Sequence, residues 1–186
     1  MAVVLLIDEP AVAGGRQNVI RTSYWRGQVF TPAADTWVTD VEFYSKAYGI
    51  APVEGLRLNI YACDGSHLPT GAVLDTVTIP ATEVSLTFAW ITGYTFNRIK
   101  LSAGVEYCLT MECDGGDSSN YYLNYEKPFT WYGLHSNNGG ILWKLSTYEK
   151  TVKLYGDTYM FSPPSARDTK KRLISVAEDA LWYESI

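Results

Sequence analysis

Short stretches in which every second residue is hydrophobic recur along this chain, each closed by Gly, Pro, Asn or Asp. A period of two is the pattern of a strand with one buried face. Residues 37–44 set Trp37, Thr39, Val41 and Phe43 against Val38, Asp40, Glu42 and Tyr44. Residues 56–62 set Leu56, Leu58 and Ile60 against Arg57, Asn59 and Tyr61, and the run ends at the turn pair Asp64-Gly65. Further strands are predicted over 24–31, stopped by Pro32, and over 74–79, 85–91, 94–99, 105–113, 121–125, 141–145 and 151–155. About ten short strands with turn residues between them predict an all-β fold, an antiparallel β-sandwich of jelly-roll type.

The two ends read differently. The apolar run at 2–7 has no positive charge before it and is cut short by Asp8, Glu9 and Pro10, so it is neither a signal peptide nor a membrane span. It reads as a strand within an N-terminal extended arm that pairs outside the main domain. At the other end Ser162-Pro163-Pro164-Ser165 is a break. Beyond it Leu173, Val176, Ala177, Ala180 and Leu181 fall at i, i+3, i+4, i+7 and i+8, which predicts a short amphipathic helix with Ser165 or Asp168 as its cap. So short a helix needs a surface to lie on, either its own domain or a neighbouring chain. The expected organisation is an arm over 1–23, a sandwich over 24–161 and a helical extension over 162–186.

At 186 residues and 47% hydrophobic content the chain suits one sizeable core. The 14 Tyr residues add rings with a polar tip, suited to half-buried sheets and to interfaces. The net charge is −5 and the basic residues are scattered apart from Lys170, Lys171 and Arg172, so no cationic field matches a row of phosphates and nucleic acid is excluded as the expected partner. Of the cysteines, Cys108 and Cys113 are five apart, on opposite faces of a regular strand. Buried or free thiols are the favoured reading, with one bridge involving Cys63 left open. His67 and His135 add too few ligands at close spacing for a zinc site.

Candidate chemistry is sparse. His67 lies in a turn and His135 in the Gly-rich stretch 133–140, and no nucleophile elbow or paired-carboxylate signature accompanies either. An enzyme is therefore not expected. Asp114, Asp117 and Asn120 carry oxygens that suit calcium, but the Asp-x-Asp-x-Asp-Gly loop is missing and turn chemistry explains the same residues, so neither metal nor cofactor is expected. Tyr121, Tyr122, Tyr125, Trp131, Tyr132 and Trp143 are the binding candidates, because they lie on and around two loops rich in Gly, Asn and Ser. The competing reading is that some simply fill the core: on a strand Tyr121 and Tyr125 share one face and Tyr122 takes the other.

The order of QVFTP at 28–32, IYACDG at 60–65, LPTG at 68–71, LSAG at 101–104 with Tyr107, GGDSSNYY at 115–122, Gly139-Gly140 with Trp143, and LYG at 154–156 resembles a β-sandwich module. Such modules recur in bacterial surface proteins of choice-of-anchor type and in phage structural proteins, and are similar to jelly-roll carbohydrate-binding modules. The resemblance covers roughly residues 24–157 and implies a role in binding or structure without catalytic residues. This chain departs from the surface proteins in its lack of a signal peptide, a sorting motif and a further domain, which puts wall anchoring in doubt. The expectation is a phage capsid-decoration, tail or fibre-associated subunit, found in the virion after assembly in the host cytoplasm. Its expected partners are copies of itself and other virion proteins, with no membrane, and Leu173, Val176, Ala177, Ala180 and Leu181 as assembly residues. The alternative is a carbohydrate-binding module of a surface or adhesion protein, with glycan as its ligand.

Overall fold

Among the described residues the alternating segments pair into twelve antiparallel strands. They are β1 (Val3–Asp8), β2 (Arg16–Ile20), β3 (Trp25–Phe30), β4 (Thr36–Tyr48), β5 (Leu56–Cys63), β6 (Pro69–Ile79), β7 (Ala89–Thr95), β8 (Lys100–Leu101), β9 (Tyr107–Glu112), β10 (Tyr121–Ser136), β11 (Trp143–Lys150) and β12 (Val152–Asp157). The computed structural model describes residues 3–8 and 16–158, with the side chains of 127–132 and 149 outside the description. The expected C-terminal helix, with Leu173, Val176, Ala177, Ala180 and Leu181, lies outside the described residues.

The strands form two antiparallel sheets, an arrangement compatible with a β-sandwich. One sheet runs β1-β12-β4, with β7 and β8 on the far edge of β4 and the start of β10 carrying β2. The other contains β11, the end of β10, β3, β9, β5 and β6. β10 belongs to both: residues 121–124 pair with β4 and residues 133–136 pair with β3. The register shifts between Pro128 and Gly133, where Pro has no N–H to offer a ladder. Gly133 is required there, since a Cβ would run into the carbonyl oxygen of Tyr148. Between the sheets Val41, Phe43, Tyr122 and Leu154 meet Leu58, Ile60, Leu109 and Met111 in one core.

Several expectations need correction. Of the apolar run at 2–7 the described part does form a strand, but β1 pairs with β12 inside the sheet, and Ile7 and Ile20 join the core. The 1–23 segment thus contributes β1 and β2 to the module. The strands expected over 85–91 and 94–99 are replaced by one strand, β7, that overlaps the end of the first and the start of the second, and the two-residue β8 follows beyond both. On β4 the alternation changes phase: Val38 is buried with Val41 and Phe43, while Trp37 and Thr39 are half-buried. Register shifts opposite residues 38–43 insert the extra residue that flips the face. β10 runs through residue 136, so His135 stands on a strand and not in a loop.

Cys63 and Cys108 form a disulfide, which replaces the favoured reading of free thiols. Tyr61 lies directly opposite Cys108, so Cys63 is its diagonal neighbour on the same face, with Cα atoms 6.1 Å apart. Cys113 is free and buried in the main core, on the other side of β9's end from Cys108, and burial pushes its thiol up to about 11. Alkylation of the unfolded protein without reductant is expected to label Cys113 alone. Labelling of all three cysteines would show that the bridge does not form.

Candidate functional site

The outward positions of the first sheet carry an aromatic surface. Pairing of β4 with β10 sets Tyr48 opposite Tyr121 and Lys46 opposite Leu123, so residues 44, 46 and 48 share a face with 121, 123 and 125. On the other edge of β4, Trp90 lies opposite Tyr44, and Phe88 precedes it by two residues on the same face. Tyr44 stacks on Phe88 at 5.5 Å with planes 18° apart, and meets Trp90 at 5.4 Å and Tyr125 at 5.9 Å. Phe88 and Tyr125 close the group at 4.4 Å. Lys46 lies 5.0 Å over the Phe88 ring and Lys153 4.8 Å over Trp90, while Glu42 holds Lys153 at 3.5 Å. All four rings are half-buried. They are fixed by one another and by the sheet beneath, and they present apolar faces edged by cations.

Further along the same face Tyr48, half exposed, stacks on Tyr121 at 4.8 Å and 13°. Tyr121 forms one wall of a 310 Å³ cleft against edge strand β2 and the turn into β3. Arg21 and Arg26 are its charged walls.

The sequence candidates therefore separate. Tyr121 and Tyr125 do share the outer face, at the cleft and in the ring cluster respectively. Tyr122 must be withdrawn as a binding residue: it is fully buried, its hydroxyl donates to the Pro52 carbonyl oxygen at 2.7 Å, and burial raises its phenol well above the usual range. Its strand parity points it into the core. Trp143 is half-buried on the second sheet, 6.4 Å from Trp25, and covers a small cluster of Val29, Cys108 and Leu134. It is remote in the fold from the ring cluster. Trp131 and Tyr132 lie on β10 with side chains outside the description. Tyr44, Tyr48, Phe88 and Trp90 were not among the sequence candidates. The spacing of two between Phe88 and Trp90, and between Tyr44 and Tyr48 through Lys46, is the signal that marks a shared face.

The other polar candidates serve the scaffold. His67, in the left-handed region at φ 64°, sets Nδ1 2.6 Å from Glu106 Oε2. His135 is disfavoured as a cation by burial first and then by Arg26 and Lys144. Asp114 takes Arg57 in a two-pronged ion pair. Asp117 accepts the backbone N–H of Ser119 at 2.6 Å and of Asn120 at 2.9 Å, bonds that hold its carboxyl below the usual carboxylate range. Among the described residues no three metal-ligating side chains come together. No family model matches this chain, and neither does any curated protein sequence.

Proposed function

We propose that this protein is a non-catalytic structural and interaction subunit of a viral particle, a phage capsid-decoration, tail or fibre-associated component. In this reading the two sheets are a jelly-roll body, and the aromatic face of β4, β7 and β10 meets neighbouring subunits. The observation that carries it is the cluster of Tyr44, Phe88, Trp90 and Tyr125, held half-exposed on a paired sheet. Rigid Tyr and Trp side chains lose little entropy on docking and are enriched among residues that dominate interfaces. Ile50, Val53 and Ile141 add apolar side chains at loop tips, each more than three-quarters exposed.

A second reading, a glycan-binding module of a surface or adhesion protein, draws on the same rings, since a sugar's apolar face stacks on Trp or Tyr as a partner side chain would. Sedimentation across a concentration series, with glycan-array binding beside it, separates the two. The parent is expected to self-associate, and Trp90→Ala to weaken that association by about 1–3 kcal/mol while melting temperature changes little. A parent that stays monomeric at every concentration and captures glycan through Trp90 would leave the module reading in its place.

A further inference from the structure

The cleft beside Tyr121 holds more positive charge than its own structure uses. Arg26 on β3 is only 7% exposed, yet its Nε–H has no hydrogen-bond partner. One end of its guanidinium is occupied, with Nη1 donating to the Trp25 carbonyl at 2.9 Å and the Ser136 carbonyl at 3.4 Å. A buried charged donor left unbonded is costly, so the site as it stands lacks an acceptor. Burial, with Arg16 adding to it, draws Arg26 down to about 10, which still leaves it charged at neutral pH.

Arg21 supplies a second guanidinium. Its guanidinium carbon lies 4.6 Å from the centre of the Tyr24 ring, a cation–π contact at the wall of the cleft. Asp117 is the acid that senses Arg21, but its Oδ1 already accepts the loop N–H groups of Ser119 and Asn120 and its Oδ2 the Asn120 amide. Behind the cleft Glu126 is engaged with Lys150. The remaining walls combine two Tyr rings, Tyr24 and Tyr121, with the amides of Gln17 and Asn18. A volume of 310 Å³ is at the small end of the range for ligand pockets, enough for one small molecule or one residue of a polymer.

We infer that this cleft binds a small ring-bearing carboxylate, with the carboxylate on Arg21, in the field of the Arg26 guanidinium, and the ring against Tyr121. A sugar acid and an aromatic acid share that chemistry. Arg21 gives the charge-assisted hydrogen bonds, Arg26 adds its charge, and the stacked Tyr48–Tyr121 pair keeps the ring wall rigid. The inference stands apart from the docking face: loss of binding here with self-association intact would count against the cleft alone.

Calorimetric titration of the full chain with D-glucuronate, benzoate and D-glucose tests it. At least one of the two acids is expected to bind while glucose does not, and the better acid identifies the source of the carboxylate. Arg21→Ala is expected to weaken binding about tenfold or more, and added salt to weaken it further. In NMR spectra the Arg26 Nε–H signal should shift on saturation. Arg21→Lys keeps the charge but removes the planar fork, so affinity should fall with it too, and Tyr121→Ala should weaken binding by removing the ring wall. Failure of both acids to bind, glucose binding as tightly as glucuronate, or unchanged affinity in Arg21→Ala would each overturn the inference.

Discussion

Replacing Glu126 by Ala is expected to cost about 3–5 kcal/mol of folding stability, because it strands a buried ammonium group. Glu126 lies opposite Lys150 on β11 and opposite Arg16 on β2, and its carboxylate forms an ion pair with Lys150 Nζ. Both side chains are enclosed, Lys150 at 0% and Glu126 at 4% exposure. Burial, reinforced by Arg26 and Arg16, pushes Lys150 well below the ordinary lysine range. Without Glu126 the ammonium group loses the carboxylate beside it. The unfolded chain then binds a proton more readily than the folded one, so the variant should regain stability as pH climbs toward about 10.5 and lose it as pH falls below. Exchanging both partners for Met removes the unpaired charge and is expected to return most of the loss, since a buried ion pair contributes little over a well-packed apolar pair. Chemical denaturation of the two variants against the parent checks this. A loss under about 1 kcal/mol for Glu126→Ala would mean that water reaches Lys150.

Tyr122→Ala is expected to cost a similar amount, about 3–5 kcal/mol, by opening a cavity between the sheets. Among the described residues Tyr122 is the largest of the fully buried side chains. Tyr122→Phe keeps the ring and loses only the bond to Pro52, so it should cost about 1 kcal/mol. Its neighbours on β10 should behave otherwise: Tyr121→Ala and Tyr125→Ala leave no sealed cavity, and their effect should fall on binding. Melting curves for the three alanine variants decide the matter. Equal small losses in all three would place Tyr122 at the surface.

The alternation over 56–62 was legible because β5 keeps one register with β9 along its length, so Leu56, Leu58 and Ile60 stay on one face. Where pairing slips, local pattern misleads. On β4 the register shifts near Val41 move Val38 into the core and turn Trp37 away from it, and no residue type at 38–41 announces the change. The second half of β10 was missed for a related reason. Lys127, Pro128 and Thr130 interrupt the apolar pattern, yet β11 on one edge and β3 on the other continue the ladder past residue 133. The ring cluster was half seen: Tyr125 was named from its loop-side position, while Tyr44, Phe88 and Trp90 come from strands 40 residues apart whose adjacency depends on β7 pairing with β4.

Features that depend on neighbours along the chain are legible without a fold. Period-two patterning and Gly, Pro, Asn and Asp punctuation establish an all-β antiparallel chain, and strand parity alone separates Tyr121 and Tyr125 from Tyr122. The Asp117 turn is equally local, since its carboxylate reaches only residues two and three ahead. Only the folded sheets settle which strands lie side by side, and with that the Cys63–Cys108 bridge, the burial of Lys150 beside Glu126, and the meeting of Tyr121 with Arg21 and Arg26 in one cleft. Each of these joins residues whose separation along the chain carries no record of the register that brings them together. Register is set by the burial of whole faces at once, a property of the assembled sheets and not of any one segment.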